Sequence, residues 1–220
     1  MLSLTPYKIR NIELKNRIVM PPMCMYQASN GFVQPFHLTH YATRAIGNVG
    51  MIIVEATAIS PEGRITDNDL GIWDDQFIPG LKELTQVFHK HGCPVFAQFH
   101  HPGPAAPQDL KGGPPIGPSS IREDELPSPV PLLRPPRGLT VAEIQDMQER
   151  YVEAAKRAQE AGFDGVEVHG ANGYLPDQFL HDGSNKRTDR YGGSIENRSR
   201  FLLEIMETCC IAIGNDRVGV

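Results

Sequence analysis

The chain has 220 residues, 40% of them hydrophobic and 21% charged. Those proportions are ordinary for a soluble globular domain and exclude disordered and fibrous classes. Its 21 Lys and Arg against 26 Asp and Glu leave a net charge of −5, with no basic block to hold nucleic acid.

No apolar run reaches the ~18–20 residues of a membrane span. Residues 1–17 alternate Leu and Ile with Lys and Arg, without the apolar core or cleavage site of a signal peptide. Cys24, Cys93, Cys209 and Cys210 form no CxxC and no regular spacing. Reduced thiols in a cytoplasmic protein are expected.

In chain order, a β-branched run at residues 17–20 precedes a helix expected over 37–47. A second run at 51–55 leads to a helix over 81–91, with Leu81, Leu84, Val87 and Phe88 at helical spacing and Gly92 as the stop. A third run covers 94–98. Residues 102–138 follow, with 11 of the 19 prolines, five glycines and no periodicity. So long a loop after a strand predicts a functional overhang or an insertion. Thr140 and Glu143 form a capping box that opens a helix ending at Gly162. A fourth run covers 163–169, a helix is expected over 194–213 with Gly214 as its stop, and a fifth run closes at 217–220.

Strict strand–helix alternation predicts an α/β fold with buried parallel strands. Neither GxGxxG nor GxxxxGK[ST] is present, so a (β/α)8 TIM barrel is preferred to an open dinucleotide-binding sheet. Four βα units take roughly 50 residues each, and eight would need roughly 400. The expectation is therefore one partial barrel domain over 1–220 that supplies about the first five strands. Open sheet edges then predict association into a homo-oligomer.

The fourth strand runs into His169-Gly170-Ala171-Asn172-Gly173-Tyr174. His169 and Asn172 can each donate a hydrogen bond, and together can clamp one ligand oxygen. Tyr174, with an ordinary pKa near ~10, is protonated at neutral pH and can donate a proton. The other reading of this run is a polar turn with one satisfied histidine. Pro21 and Pro22 end the first strand and turn Cys24 either toward the barrel mouth or into the core. Gln98, ending the third, can pair with a heterocycle edge or merely satisfy backbone groups. No HExxH occurs, and no set of metal ligands is visible at the strand ends, which disfavours a metal-dependent hydrolase.

Arg187-Thr188-Asp189-Arg190-Tyr191-Gly192-Gly193-Ser194-Ile195-Glu196-Asn197-Arg198 resembles a signature of the old yellow enzyme family of flavin-dependent ene reductases. His169 to Tyr174, Asn16 to Met23, Val54-Glu55-Ala56-Thr57 and Gln98 to Gly103 match the same family, in family order along the whole chain. The resemblance implies FMN across the C-terminal mouth of the barrel, with NADPH or NADH as reductant. It implies flavin contacts by Pro22, Met23, Cys24, Ala56, Gln98 and His169. His169 and Asn172 are implied to hold the carbonyl oxygen of an α,β-unsaturated substrate beside Tyr26, with Tyr174 as proton donor.

Cys24-Met25-Tyr26 is similar to the bacterial thermophilic-like branch, and residues 177–183 to the plant and yeast branch. Pro104 departs from the arginine usual there. A flavin-contacting arginine after the fifth strand and the phosphate site of later strands are not in the sequence. A non-catalytic remnant that retains no flavin is the alternative expectation.

Overall fold

The computed structural model describes residues 1–105, 115–121 and 136–220. An antiparallel hairpin, β1 (Tyr7–Ile9) and β2 (Ile12–Leu14), opens the chain. The Leu/Ile and Lys/Arg alternation of this segment is a strand pattern, which sequence inspection used only to dismiss a signal peptide. β3 (Val19–Met20) then begins a parallel sheet with β4 (Met51–Ala58), β5 (Leu70–Gly71), β6 (Val95–His100), β9 (Gly165–Val168) and β10 (Val218–Gly219). The order β10-β9-β6-β4-β3 is the order of the chain, with β5 beside the end of β4. Every pairing in this sheet is parallel.

Helices α1 (Pro35–Ile46), α2 (Ile78–Lys90), α3 (Val141–Glu160) and α5 (Ile195–Ile213) connect successive strands. Strand, crossover helix and neighbouring parallel strand repeat throughout, as in the first part of a (β/α)8 barrel.

Local chemistry explains the helix bounds. Thr140 accepts from the Glu143 N–H and the Glu143 carboxylate accepts from the Thr140 N–H, the expected reciprocal box. Ser194 caps α5, and Gly214 ends it at φ +104°, a backbone region that favours glycine. α1 and α2 start two or three residues earlier than expected, each with a proline in its first turn, where a missing N–H costs nothing.

Burial departs from expectation at the first strand. Ile18 and Val19 are exposed and only Met20 is buried, because β3 is paired on one side alone. β4 is longer than its β-branched run. It reaches Ala58, and its register against β6 shifts between Val54 and Thr57, a bulge that breaks strict alternation. The residues inside that shift, Glu55 and Ala56, are both buried.

Within the proline-rich stretch the described pieces carry structure. A short parallel pair, β7 (Ile116–Gly117) and β8 (Arg137–Gly138), forms there. Residues 106–114 and 122–135 of that loop lie outside the described residues.

The RTDRYGGS run is scaffold. The Arg187 guanidinium donates to the Pro118 and Leu139 carbonyls and pairs with Asp189. Tyr191 is fully buried and its hydroxyl donates to Glu204 at 2.7 Å. A Cβ at Gly192 would lie 2.3 Å from the Arg187 carbonyl oxygen, so the turn admits only glycine.

Candidate active site at the strand C-terminal ends

Parallel strands bring their C-terminal ends to one edge, so residues distant in sequence meet there. Residues 21–26 leave β3, Ala56 lies near the end of β4, Gln98 and His100 near the end of β6, and His169 to Tyr174 follow β9. The His169 N–H donates to the Phe99 carbonyl at 2.9 Å, which holds the turn after β9 against β6.

That turn is shaped by backbone and by α4 (Leu175–Leu180), a helix that sequence inspection did not expect. Asn172 adopts φ +59°, a conformation asparagine tolerates. The Gly173 N–H donates to the Asp177 carboxylate at 2.8 Å, and Tyr174 is the residue before α4. The Tyr174 ring stands edge-on to the His169 ring, centroids 4.8 Å apart at 88°. Asn172 is exposed, and its side chain makes no hydrogen bond among the described residues.

Burial holds the His169 imidazole below its ordinary pKa, and His100 pushes the same way against Asp177. At neutral pH the ring is therefore uncharged and has one N–H to donate. Burial, with Cys24 and Asp69 nearby, raises the Tyr174 phenol above its ordinary value. It stays protonated throughout the physiological range.

The loop after β3 faces this pair. Met23 and Tyr26 are exposed, and Pro22 and Cys24 are half-buried. Burial, then the charges of Asp69 and Glu55, keep the Cys24 thiol pKa raised against the lowering by Tyr26 and the Ala56 backbone. Cys24 is thus held as a thiol. Tyr26, raised to about 12 by its surroundings, sits at φ +52°, an outlying conformation for a bulky side chain.

The Gln98 amide donates to Glu167 Oε1 at 2.6 Å. Its own carbonyl oxygen takes no hydrogen bond among the described residues, and Gln98 is buried.

Sequence inspection missed several groups here. Asp69 accepts from the Ile65 and Thr66 backbone N–H groups, and His100 Nε2 lies 3.5 Å from its carboxylate. Both His100 nitrogens, His101 Nε2 and Ser60 Oγ are buried without a hydrogen-bond partner among the described residues. Glu55 is 1% exposed. The signal for Glu55 was available, as an acid inside an otherwise apolar strand. For Asp69 there was none.

This donor set suits the ring end of a flavin. Gln98 presents an amide with an open acceptor, Ala56 keeps the strand end small, and Pro22 and Met23 offer apolar surface. His169, Asn172 and Tyr174 add donors opposite the thiol loop.

A mouth built from the C-terminal ends of parallel strands is that of a (β/α)8-type barrel. The NADH:flavin oxidoreductase / NADH oxidase family profile matches residues 4–220, and the chain belongs to that family. It is 50% identical over 202 residues to an NADPH dehydrogenase of Clostridium acetobutylicum, covering 91% of this chain and 57% of that protein. With an NADPH dehydrogenase of Bacillus licheniformis it shares 48% over 205 residues, 92% of this chain and 58% of the relative. Among solved structures, morphinone reductase in complex with tetrahydroNAD superposes with a TM-score of 0.90 at 36% identity, covering 98% of this chain and 62% of that one. The old yellow enzyme homologue from Zymomonas mobilis superposes equally well, at 0.90 and 36%, covering 98% and 61%. The chain thus spans a little under two thirds of the relatives it matches. Among the described residues no helix is long and apolar enough to cross a membrane.

Proposed function

We propose that this chain supplies the flavin-facing half of an FMN-dependent NAD(P)H oxidoreductase that reduces the C=C bond of α,β-unsaturated carbonyl compounds. The observation that carries the reading is the convergence of His169, Tyr174 and the Cys24–Tyr26 loop at one end of the parallel sheet.

Pro22, Met23, Cys24, Ala56, Gln98 and His169 would hold the ring of FMN, which, when bound, supplies hydride transfer. His169 and Asn172 each present a neutral N–H to the substrate carbonyl oxygen. Negative charge grows on that oxygen as hydride reaches the β-carbon, so donors aimed there act on the transition state. Tyr174, protonated across the physiological range, delivers its proton to the α-carbon. Tyr26 borders the substrate on the side of the thiol loop. Four unpaired cysteines fit a reducing, cytoplasmic setting.

A second reading has its own support. None of the mouth residues named above carries a positive charge to meet a dianionic phosphate. On that reading this chain alone retains no flavin.

Absorption spectra after incubation with excess FMN and desalting separate the two. A retained flavin band bleached by NADPH supports the first. Colourless protein overturns flavin retention by this chain.

A further inference from the structure

Glu55 lies in the register shift of β4 with its carboxylate buried, and no step proposed above uses it. A bulge re-aims side chains, and here it delivers an acid to the junction of three elements. On one side Glu55 Oε2 accepts from the Met25 N–H at 2.7 Å. On the other side stands α1. Tyr41 Oη accepts from the Glu55 N–H at 3.0 Å and lies 3.4 Å from Glu55 Oε1. His37 Nε2 lies 3.5 Å from the same oxygen.

The His37 tautomer follows from its other nitrogen. Nδ1 accepts from the Gln34 N–H at 3.0 Å, so a neutral ring carries its proton on Nε2, facing Glu55. Donors from helix and loop thus converge on one carboxylate.

The loop needs such an anchor. Tyr26 is bulky and sits at φ +52°, a conformation that persists only where its surroundings over-determine it. The preceding N–H, of Met25, donates to Glu55.

We propose that Glu55 is a positioning residue: its carboxylate ties the Met25–Tyr26 backbone to helix α1 and so sets where the Cys24 and Tyr26 side chains stand at the mouth. What that placement does for chemistry rests on the flavin reading. The anchoring itself does not, and its test uses no flavin.

The test is residue-level amide hydrogen exchange at Met25 in the 220-residue chain, with Ala97 in the centre of β6 as internal reference. Two variants separate reach from charge. Glu55→Asp keeps the charge but withdraws the acceptor by one methylene. Glu55→Gln removes the charge but keeps a carbonyl oxygen at full reach.

Glu55→Asp should speed exchange at Met25 about tenfold, the scale of a lost hydrogen bond, with Ala97 unchanged. Glu55→Gln should stay within about threefold of wild type. Unchanged exchange in Glu55→Asp overturns the proposal, as does faster exchange in Glu55→Gln than in Glu55→Asp. A parallel rise at Ala97 in both variants also overturns it, because Glu55 would then be packing alone. Should Glu55→Asp not fold, Glu55→Gln decides by itself: protection kept at Met25 supports the anchor, and protection lost there with Ala97 intact refutes it.

Discussion

The rings of His169 and Tyr174 meet edge to face, 4.8 Å apart and 88° to one another. The edge of one ring stands against the face of the other, an arrangement that orients both. It places a neutral hydrogen-bond donor beside a phenol held protonated, five residues apart in sequence but joined by a turn that Asn172 and the Asp177 carboxylate shape.

His169→Ala should weaken binding of phenol-type ligands to flavin-loaded protein by about tenfold or more, the scale of one lost hydrogen bond in a partly dry site. Titration of the flavin spectrum with p-hydroxybenzaldehyde reads it directly. Unchanged affinity removes His169 from the oxygen clamp.

Tyr174→Phe deletes the proposed proton donor and keeps the ring against His169. In stopped flow, reduction of the flavin by NADPH should be unaltered while reoxidation by an enone slows about 10²-fold or more, the scale of general-acid catalysis. Equal slowing of both half-reactions would mean that Tyr174 shapes the site without moving the proton.

Two buried groups give stability a pH dependence of opposite sign. Burial raises the Glu55 carboxyl from 4.5 to about 7. The native state then binds more protons than the unfolded one, and the Glu55 contribution is full below pH 4.5 and lost as pH rises through 7. Burial lowers His101 from 6.5 to about 3. The unfolded state then binds more protons, so the His101 contribution is full above pH 6.5 and lost as pH falls toward 3. Between pH 4.5 and 6.5 the two slopes oppose, one proton each. Glu55→Gln should unmask His101, so that stability rises with pH there by up to roughly 1.4 kcal/mol per unit more than in wild type. Urea midpoints at three pH values in that window test this, and equal slopes for the two proteins contradict it.

Arg187→Met should cost about 2–4 kcal/mol, because the Pro118 and Leu139 carbonyls and Asp189 lose one shared donor. The His169–Tyr174 pair is not touched by this change. Guanidinium unfolding measures the loss. A change below 0.5 kcal/mol, the range of ordinary surface substitutions, would remove Arg187 from the clamp.

Val19 is exposed on β3, which pairs on one side only. An unprotected edge pairs with another chain. Sedimentation should show self-association of the 220-residue chain that grows with concentration and that Val19→Lys reduces. A concentration-independent monomer contradicts this.

Much of the barrel was legible in the chain because its rules are local. The Thr140 box, the glycine at 214 and the apolar spacing of α2 and α5 each operate within a few residues. The His169 to Tyr174 run was legible for the same reason, since its members lie on one turn. The N-terminal hairpin was missed although its alternation was visible, because three-residue strands carry little pattern. The short helix α4 hid inside a run that read as a turn.

By itself the sequence determined the order of strands and helices, their alternation and hence a parallel sheet, and the family to which the chain belongs. Only the tertiary structure decided what the motif residues do. Arg187, the emblem of the most specific motif, is a clamp on the loop pieces around residues 118 and 139. Glu55, one acid in an apolar strand, became an anchor for Met25 and Tyr26. The physical reason is that a charged side chain takes its role from its partners and its burial. The partners that give these roles, Met25 for Glu55 and Pro118 and Leu139 for Arg187, lie 30 or more positions away and meet them only when the sheet has formed.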